Sequence, residues 1–369
     1  MTGTLVASTI NAGASASLLL QSNNTTALTL DTSQNVIAAG TVAMASSFKR
    51  NRIINGNMLI DQRNAGAAVT PTGITYTLDR WRYATSTASK LTFQQSTTAP
   101  AGFNSSTKIS VASAYTAAAA DYFVYQQPIE GFNIADLGFG TASAKTVTLS
   151  FWVQSSLIGT YSGCIQNATP DRSYVFTYSI TAANTWTQVS ITIAGDTTGT
   201  WATGNTNGMT LDFDLGSGSN YQNAAGSWVA ANRFTNSAQA NFVGTSGATF
   251  YITGVQLEIG TKATPYEMQI YSDQLAQCQR YYENINLYGY FNTAVAGTYF
   301  IQGFKFSVTK RANPTMTFSG MSYWNSSGST ISFTPSISNG GTDMFQVGYN
   351  AATNACGVSG GLAMASAEL

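Results

Sequence analysis

Apolar and polar residues alternate with a period of two along most of this chain. Lys145-Thr146-Val147-Thr148-Leu149-Ser150-Phe151-Trp152-Val153 keeps that rhythm, as do Ser173-Tyr174-Val175-Phe176-Thr177-Tyr178-Ser179-Ile180 and Thr187-Gln188-Val189-Ser190-Ile191-Thr192-Ile193. Side chains in a strand point to opposite faces in turn, so the pattern predicts half-buried strands. Met209–Leu215 and Thr249–Glu258 read the same way, and Gly195-Asp196-Thr197-Thr198-Gly199 is one of the turn-forming stretches between them. No long helical periodicity interrupts residues 52–270. The strands must therefore connect through turns and pair antiparallel. The predicted fold class is all-β, with a jelly-roll β-sandwich over residues 49–270.

The flanking regions break this rhythm in different ways. Residues 1–48 hold one charged residue, Asp31, and short alternating runs at 4–10, 27–30 and 35–38. They are too weakly apolar to bury a core alone, which predicts an N-terminal β arm completed by other copies. At Lys49-Arg50-Asn51-Arg52 three basic residues fall within four positions, marking a domain boundary. One short linker helix is expected within 271–284, from Ser272 to about Glu283. Ser272 would cap it, and Leu275, Cys278 and Tyr282 recur at helical spacing. Residues 285–369 return to strands and read as a small C-terminal β module.

Composition narrows the function. The 369 residues are 44% hydrophobic, enough to fill real cores, yet only 9% are charged. Sixteen basic against sixteen acidic residues leave a formal net charge of +0, which offers no field to hold nucleic acid and little repulsion to keep copies apart. No run approaches the roughly 18 consecutive apolar residues of a membrane-spanning helix, and the N-terminus lacks the features of a secretion signal. Neither membrane insertion nor export is expected. The chain has no histidine. That excludes Ser-His-Asp and Cys-His nucleophilic sites and His-bearing zinc sites, and leaves carboxylates as the remaining catalytic chemistry. Cys164, Cys278 and Cys356 are odd in number and far apart, so they read as buried small hydrophobes. No cofactor is expected.

Asp212 and Asp214 lie two apart on a predicted strand and so share a face, where they form a weak calcium candidate or a hydrolytic pair. The commoner alternative is a pair of carboxylates on a solvated sheet face. Trp152 and Trp186 sit within alternating strands and are expected in the core, as is Trp81 beside an Asp79–Arg80 pair. Trp201, Tyr221 and Trp228 fall instead among Gly, Asn, Ser and Thr. Such rings can stack on the apolar CH faces of sugars while nearby Asn and Asp meet the hydroxyls; alternatively they pack against a neighbouring subunit or under their own loops. Tyr323 and Trp324 form a second aromatic candidate in the terminal module.

Asn51-Arg52-Ile53-Ile54-Asn55-Gly56-Asn57-Met58-Leu59-Ile60-Asp61-Gln62-Arg63, followed by Leu78-Asp79-Arg80-Trp81, resembles the opening of a phage and prophage tail-fibre family with a carbohydrate-binding-module-like jelly roll. Leu149–Ser156, Thr185-Trp186, Gly195–Trp201, Ile252–Gly260, Ala263–Glu267 and Cys278–Glu283 look like later blocks of that family, in the same order. Arg311–Met316 and Ala367-Glu368-Leu369 resemble its ending. The resemblance implies a virion structural protein: a non-enzymatic, homotrimeric tail-fibre-type appendage assembled in the bacterial cytoplasm. Its partners would be its own copies, a host cell-surface glycan, and other tail, baseplate or capsid proteins reached through residues 1–48. Two other readings stay open. One is a capsid-decoration, head-fibre or baseplate protein without a host ligand, and the other is a polysaccharide depolymerase.

Overall fold

In the computed structural model the described residues are 18–22, 25–30, 36–38, 49–294, 299–325, 327, 329–350 and 355–369. The chain divides into two compact units, Met1–Lys49 and Arg50–Leu369. The first contains β1 (Leu18–Ser22), β2 (Thr25–Leu30) and β3 (Val36–Ala38), an antiparallel sheet in the order β1-β2-β3. The strand expected at 4–10 lies outside the described residues.

The second unit opens with a sandwich. Its strands are β4 (Thr75–Leu78), β5 (Trp81–Thr85), β6 (Leu91–Ser96), β7 (Ser106–Val111), β8 (Phe123–Glu130), β9 (Val147–Ser155), β10 (Gly159–Asn167), β11 (Ser173–Ile180), β12 (Thr187–Ile193), β13 (Asn207–Asp214), β14 (Trp228–Val229) and β15 (Thr249–Ile259). They form a seven-stranded sheet, β14-β11-β10-β13-β8-β5-β4, facing a five-stranded sheet, β12-β9-β15-β7-β6. All pairings are antiparallel, and the sandwich is the one the alternation predicts.

The period-two pattern sets which side chains meet between the sheets. Val147, Leu149, Phe151 and Val153 of β9 face Leu211 and Phe213 of β13 across one core. Its centre is aromatic: Trp81 stacks on Tyr125 at 5.2 Å, and Phe151 meets Phe213 edge-on at 5.0 Å. Trp81 is in the core as expected, but Trp152 and Trp186 are not. They are half-buried, and Trp186 meets Tyr251 at 6.3 Å on the outer face of the five-stranded sheet. Trp152 takes the face opposite Phe151, so alternation within β9 overrides its apolarity.

The segment 51–63 joins the two sheets through amides. Asn51 donates to the Val255 carbonyl and accepts from Ile53 and Leu257 N–H groups, while Asn55 exchanges two hydrogen bonds with the Ile60 backbone. Trp81 Nε1 donates to the Asn55 carbonyl. Between them Gly56 lies so close to Val255 that a Cβ would overlap the Val255 carbonyl oxygen.

The helix, α1 (Tyr271–Gln279), is shorter than expected. It follows Ile270 rather than starting at a Ser272 cap, and Arg280 is its C-cap. Its buried residues are Gln274 and Cys278, not Leu275, because Gln274 reaches inward to bond Asn57. Tyr282 already belongs to the next strand, β16 (Tyr282–Asn286), which is followed by β17 (Gly289–Ala294), β18 (Tyr299–Lys305), β19 (Thr315–Asn325), β20 (Thr330–Ser332), β21 (Ser336–Gly340), β22 (Met344–Asn350) and β23 (Ala355–Ser366). These make two sheets, β16-β23-β19-β20 with β17 also on β23, and β18-β22-β21, around Leu287, Phe306, Met321, Tyr323, Phe345 and Val347.

Charged residues bind these sheets to the sandwich. Arg280 grips Glu130 through two hydrogen bonds of 3.1 and 2.7 Å. Glu368 accepts from Arg63 at 2.8 Å and also from Arg80, whose guanidinium lies 3.6 Å from the centre of the Tyr281 ring. The expected Asp79–Arg80 pair is therefore not formed. Arg80, at φ 69°, turns to Glu368, and Asp79 accepts from Gln62 N–H and Nε2 at 2.6 and 2.8 Å. Cys164 and Cys278 are buried free thiols, while the Cys356 side chain lies outside the described residues.

Candidate functional site

The outer face of the seven-stranded sheet carries a row of polar side chains in register. Arg82 of β5 pairs with Gln126 of β8, Gln126 with Asp212 of β13, and Asp212 with Cys164 of β10. Their in-strand neighbours Tyr83, Tyr125, Leu211, Phe213 and Ile165 point the other way into the core, so alternation places all four on the outer face. Hydrogen bonds run along the row. The Gln126 amide, turned to satisfy both neighbours, donates to Asp212 Oδ1 at 2.7 Å and accepts from Arg82 Nε at 3.0 Å. Cys164 Sγ donates to Asp212 Oδ2 at 3.2 Å.

Part of this row lies under a roof. Phe234 packs on Ala84, Val124, Cys164 and Val175, with Tyr122 and Tyr221 against them. Asp212 and Asp214 share a face as the sequence predicts, but both are wholly buried rather than solvated. Asp214 accepts from the Gly216 and Ser217 N–H groups at 3.0 Å and so braces the turn leaving β13. Burial raises both carboxyls, Asp212 to about 7 and Asp214 to about 6, against an ordinary 3.8. Burial, with Asp212 beside it, likewise pushes the Cys164 thiol up. The acidic oxygens already serve neighbouring groups, and no group of three or more His, Cys, Asp or Glu side chains placed to hold a metal ion occurs among the described residues. The pair does not fit a calcium site.

Beside the roof the row opens into a cleft of about 260 Å³. Arg82, Gln126, Gln166 and Thr210 come from the strands, Asn167 and Asn207 from the ends of β10 and β13 and Asn232 from a loop, and Tyr122, Tyr221 and Phe234 form an aromatic wall. Tyr221 meets Phe234 at 4.8 Å and Tyr122 edge-on at 5.8 Å. Gln166 Nε2 donates to Asn232 Oδ1 at 2.7 Å, which fixes the rim loop over the strand. A second depression, of about 320 Å³, is lined by residues such as Ser217, Gln222, Gln239 and Asn241 and holds neither a ring nor a charge.

Of the five aromatic candidates, the structure brings only Tyr221 to this cleft. Trp201 is 7% exposed, and it forms an edge-on trio with Phe139 at 5.0 Å and Trp228 at 5.5 Å. Trp228 is half-buried and donates from Nε1 to the Ala194 carbonyl at 2.7 Å. Both rings therefore pack against each other and against Phe139, which is distant in the chain. Tyr323 is buried in the C-terminal core, while Trp324 is half-buried and meets Tyr288 edge-on at 5.5 Å. The sequence reading missed Arg82, Gln126, Gln166 and Asn232. For Arg82, Gln126 and Gln166 the one local signal was a polar residue beside a core-facing apolar one in the same strand (Tyr83, Tyr125 and Ile165), and Asn232, outside the strands, carried none.

No protein-family model and no curated protein matches the chain. Among solved structures it is similar to TmCBM61 in complex with β-1,4-galactotriose, at 9% identity and TM-score 0.29, over 57% of this chain and 100% of that one. It is also similar to the family 11 carbohydrate-binding module of the Clostridium thermocellum cellulase Lic26A-Cel5E, at 12% identity and TM-score 0.27, over 54% and 98%. A third is the enzymatically active domain of tailspike protein 4 of bacteriophage CBA120, at 11% identity and TM-score 0.29. This covers 57% of the present chain but spans about a fifth (21%) of that one.

Proposed function

We propose that the sandwich is a non-catalytic glycan-binding module whose ligand lies in the cleft on the outer face of the seven-stranded sheet. The observation that carries this is the lining: an aromatic wall of Tyr122, Tyr221 and Phe234 beside a floor of side-chain amides and one guanidinium. Rings take the CH faces of a sugar, and Gln and Asn each offer both a donor and an acceptor to its hydroxyls. The lining includes no carboxylate, and Asp212 and Asp214 are sealed beneath. Glycoside hydrolysis commonly needs two carboxyl groups flanking the bond, so this geometry supports binding over cleavage.

The ordered motif blocks that resemble a phage tail-fibre family extend this proposal. The chain would be an appendage subunit of a virion, assembled as a homotrimer. Its N-terminal unit would dock to tail, baseplate or capsid, and its cleft would hold the host-surface glycan. Three weak sites on one fibre raise avidity without new contacts.

The test is a glycan array probed with the full chain, followed by titration of the bound class with Tyr221→Ala. Loss of a stacking ring should weaken binding about tenfold, with the thermal midpoint reporting that the variant still folds. No binding to any glycan, or a Tyr221→Ala variant that folds and binds unchanged, refutes the cleft. Immunogold labelling of purified particles locates the subunit. Label on the capsid shell, with none on the tail, would replace the tail-fibre assignment with a decoration protein.

A further inference from the structure

Resting on the glycan-binding reading, we propose that the cleft selects an N-acetylated sugar and that Gln166 is the specificity-determining residue, its side-chain oxygen accepting the acetamido N–H. Gln166 lines the cleft and is only 5% exposed. Its Nε2 donates to Asn232 Oδ1 at 2.7 Å and to the Arg233 carbonyl at 3.3 Å. A main-chain carbonyl can only accept, so the nitrogen is the atom turned to that loop and Oε1 is the one left over. Among the described residues no group donates to Oε1. A ligand that displaces water from the cleft strands this oxygen unless it brings a donor of its own.

The apolar side of the cleft adjoins this acceptor. Cys164 and Gln166 are alternate residues on one face of β10, about 7 Å apart along the strand. Phe234 packs over Cys164, and Tyr221 lies against Phe234 at 4.8 Å. A donor held by Gln166 therefore stands one same-face step from an aromatic wall. An acetamido group supplies both parts: an N–H for the oxygen, and a methyl two bonds beyond the nitrogen for the ring. A hydroxyl meets the acceptor but leaves the wall bare. An amine, charged near neutral pH, enters a lining that holds no carboxylate and already carries the Arg82 guanidinium. Because two bonds fix the Gln166 amide before any ligand arrives, the acceptor costs no ordering on binding.

The experiment titrates the full chain with matched oligosaccharides of glucose, galactose and mannose type that carry at C2 an acetamido group, a hydroxyl or an amine. In the series that binds, the acetamido form should hold about tenfold more tightly than the hydroxyl form. A 2-O-acetyl analogue, which keeps the methyl and the carbonyl but lacks the N–H, should lose that gain. Gln166→Met removes the acceptor and should bring the acetamido and hydroxyl forms to equal affinity. Met also gives up the bonds to the loop, so the readout is the ratio of the two affinities; a purely structural loss would lower both alike. Hydroxyl forms that bind as tightly as acetamido forms, an ester analogue that matches the amide, or a ratio that persists in Gln166→Met overturns the inference and leaves the glycan-binding reading standing. Binding to no member of the panel also overturns it, and a glycan array that is blank as well takes the glycan-binding reading with it.

Discussion

Asp212 sits wholly buried between Gln126 and Cys164, and burial lifts its carboxyl from 3.8 to about 7. A group whose folded value lies above its unfolded one binds its proton more tightly when folded. Its contribution to stability is then fully present below pH 3.8 and is lost as pH rises through 7. Asp214 and Asp79, both raised to about 6 by burial, act in the same direction. The protein should be more resistant to denaturant at pH 5 than at pH 8. Asp212→Asn removes the largest of these three shifts, so its stability should fall less than the parent's between those two values. Urea titrations of both proteins at both pH values check this, and parallel losses would show that Asp212 is ionised in the folded state.

At the level of elements, much of the sandwich could be read from the chain because period-two alternation is a local property. In β9 the run Val147, Leu149, Phe151 and Val153 already fixed which face is buried, and the same parity puts Trp152 outside. An apolar residue on the wrong parity misleads only when its type is weighed above its position. Trp201 failed in the opposite sense. Its loop sequence is polar, but Phe139 and Trp228, far off in the chain, supply its walls. The cleft was hidden for the same reason. Arg82, Gln126, Asp212 and Cys164 share a row only because β5, β8, β13 and β10 are neighbours in the sheet, an order that does not follow the chain. Trp201→Ala should accordingly behave as a core truncation costing about 3–5 kcal/mol, read by equilibrium unfolding. Trp228→Ala should lower stability through the same trio while leaving glycan affinity unchanged once the variant is folded. A loss of affinity without a loss of stability would return that ring to the binding surface.

For the whole of the second unit, the decisive joint is the one that ties its last residues to the front of the sandwich. Glu368 lies between Arg63 and Arg80, and the Leu369 main-chain oxygen accepts from Arg82 and from the Tyr76 hydroxyl, so residues 368 and 369 are clamped along β4 and β5. Side-chain exposure is 1% at Arg80 and 6% at Glu368. A pair this deep adds little net energy over an apolar replacement, yet removing one partner strands a buried charge at a cost of about 3–5 kcal/mol. Glu368→Ala should therefore cost that much, while the paired change Glu368→Leu with Arg80→Met should recover most of it. The same clamp makes the C-terminal sheets unfold with the sandwich, so tryptophan fluorescence and far-ultraviolet circular dichroism should report one shared transition for residues 50–369 in the parent. In Glu368→Ala the joint is weakened at its most buried point, and the two probes should separate. Coincident transitions in that variant would mean that the Arg280–Glu130 pair suffices to hold the C-terminal sheets to the sandwich.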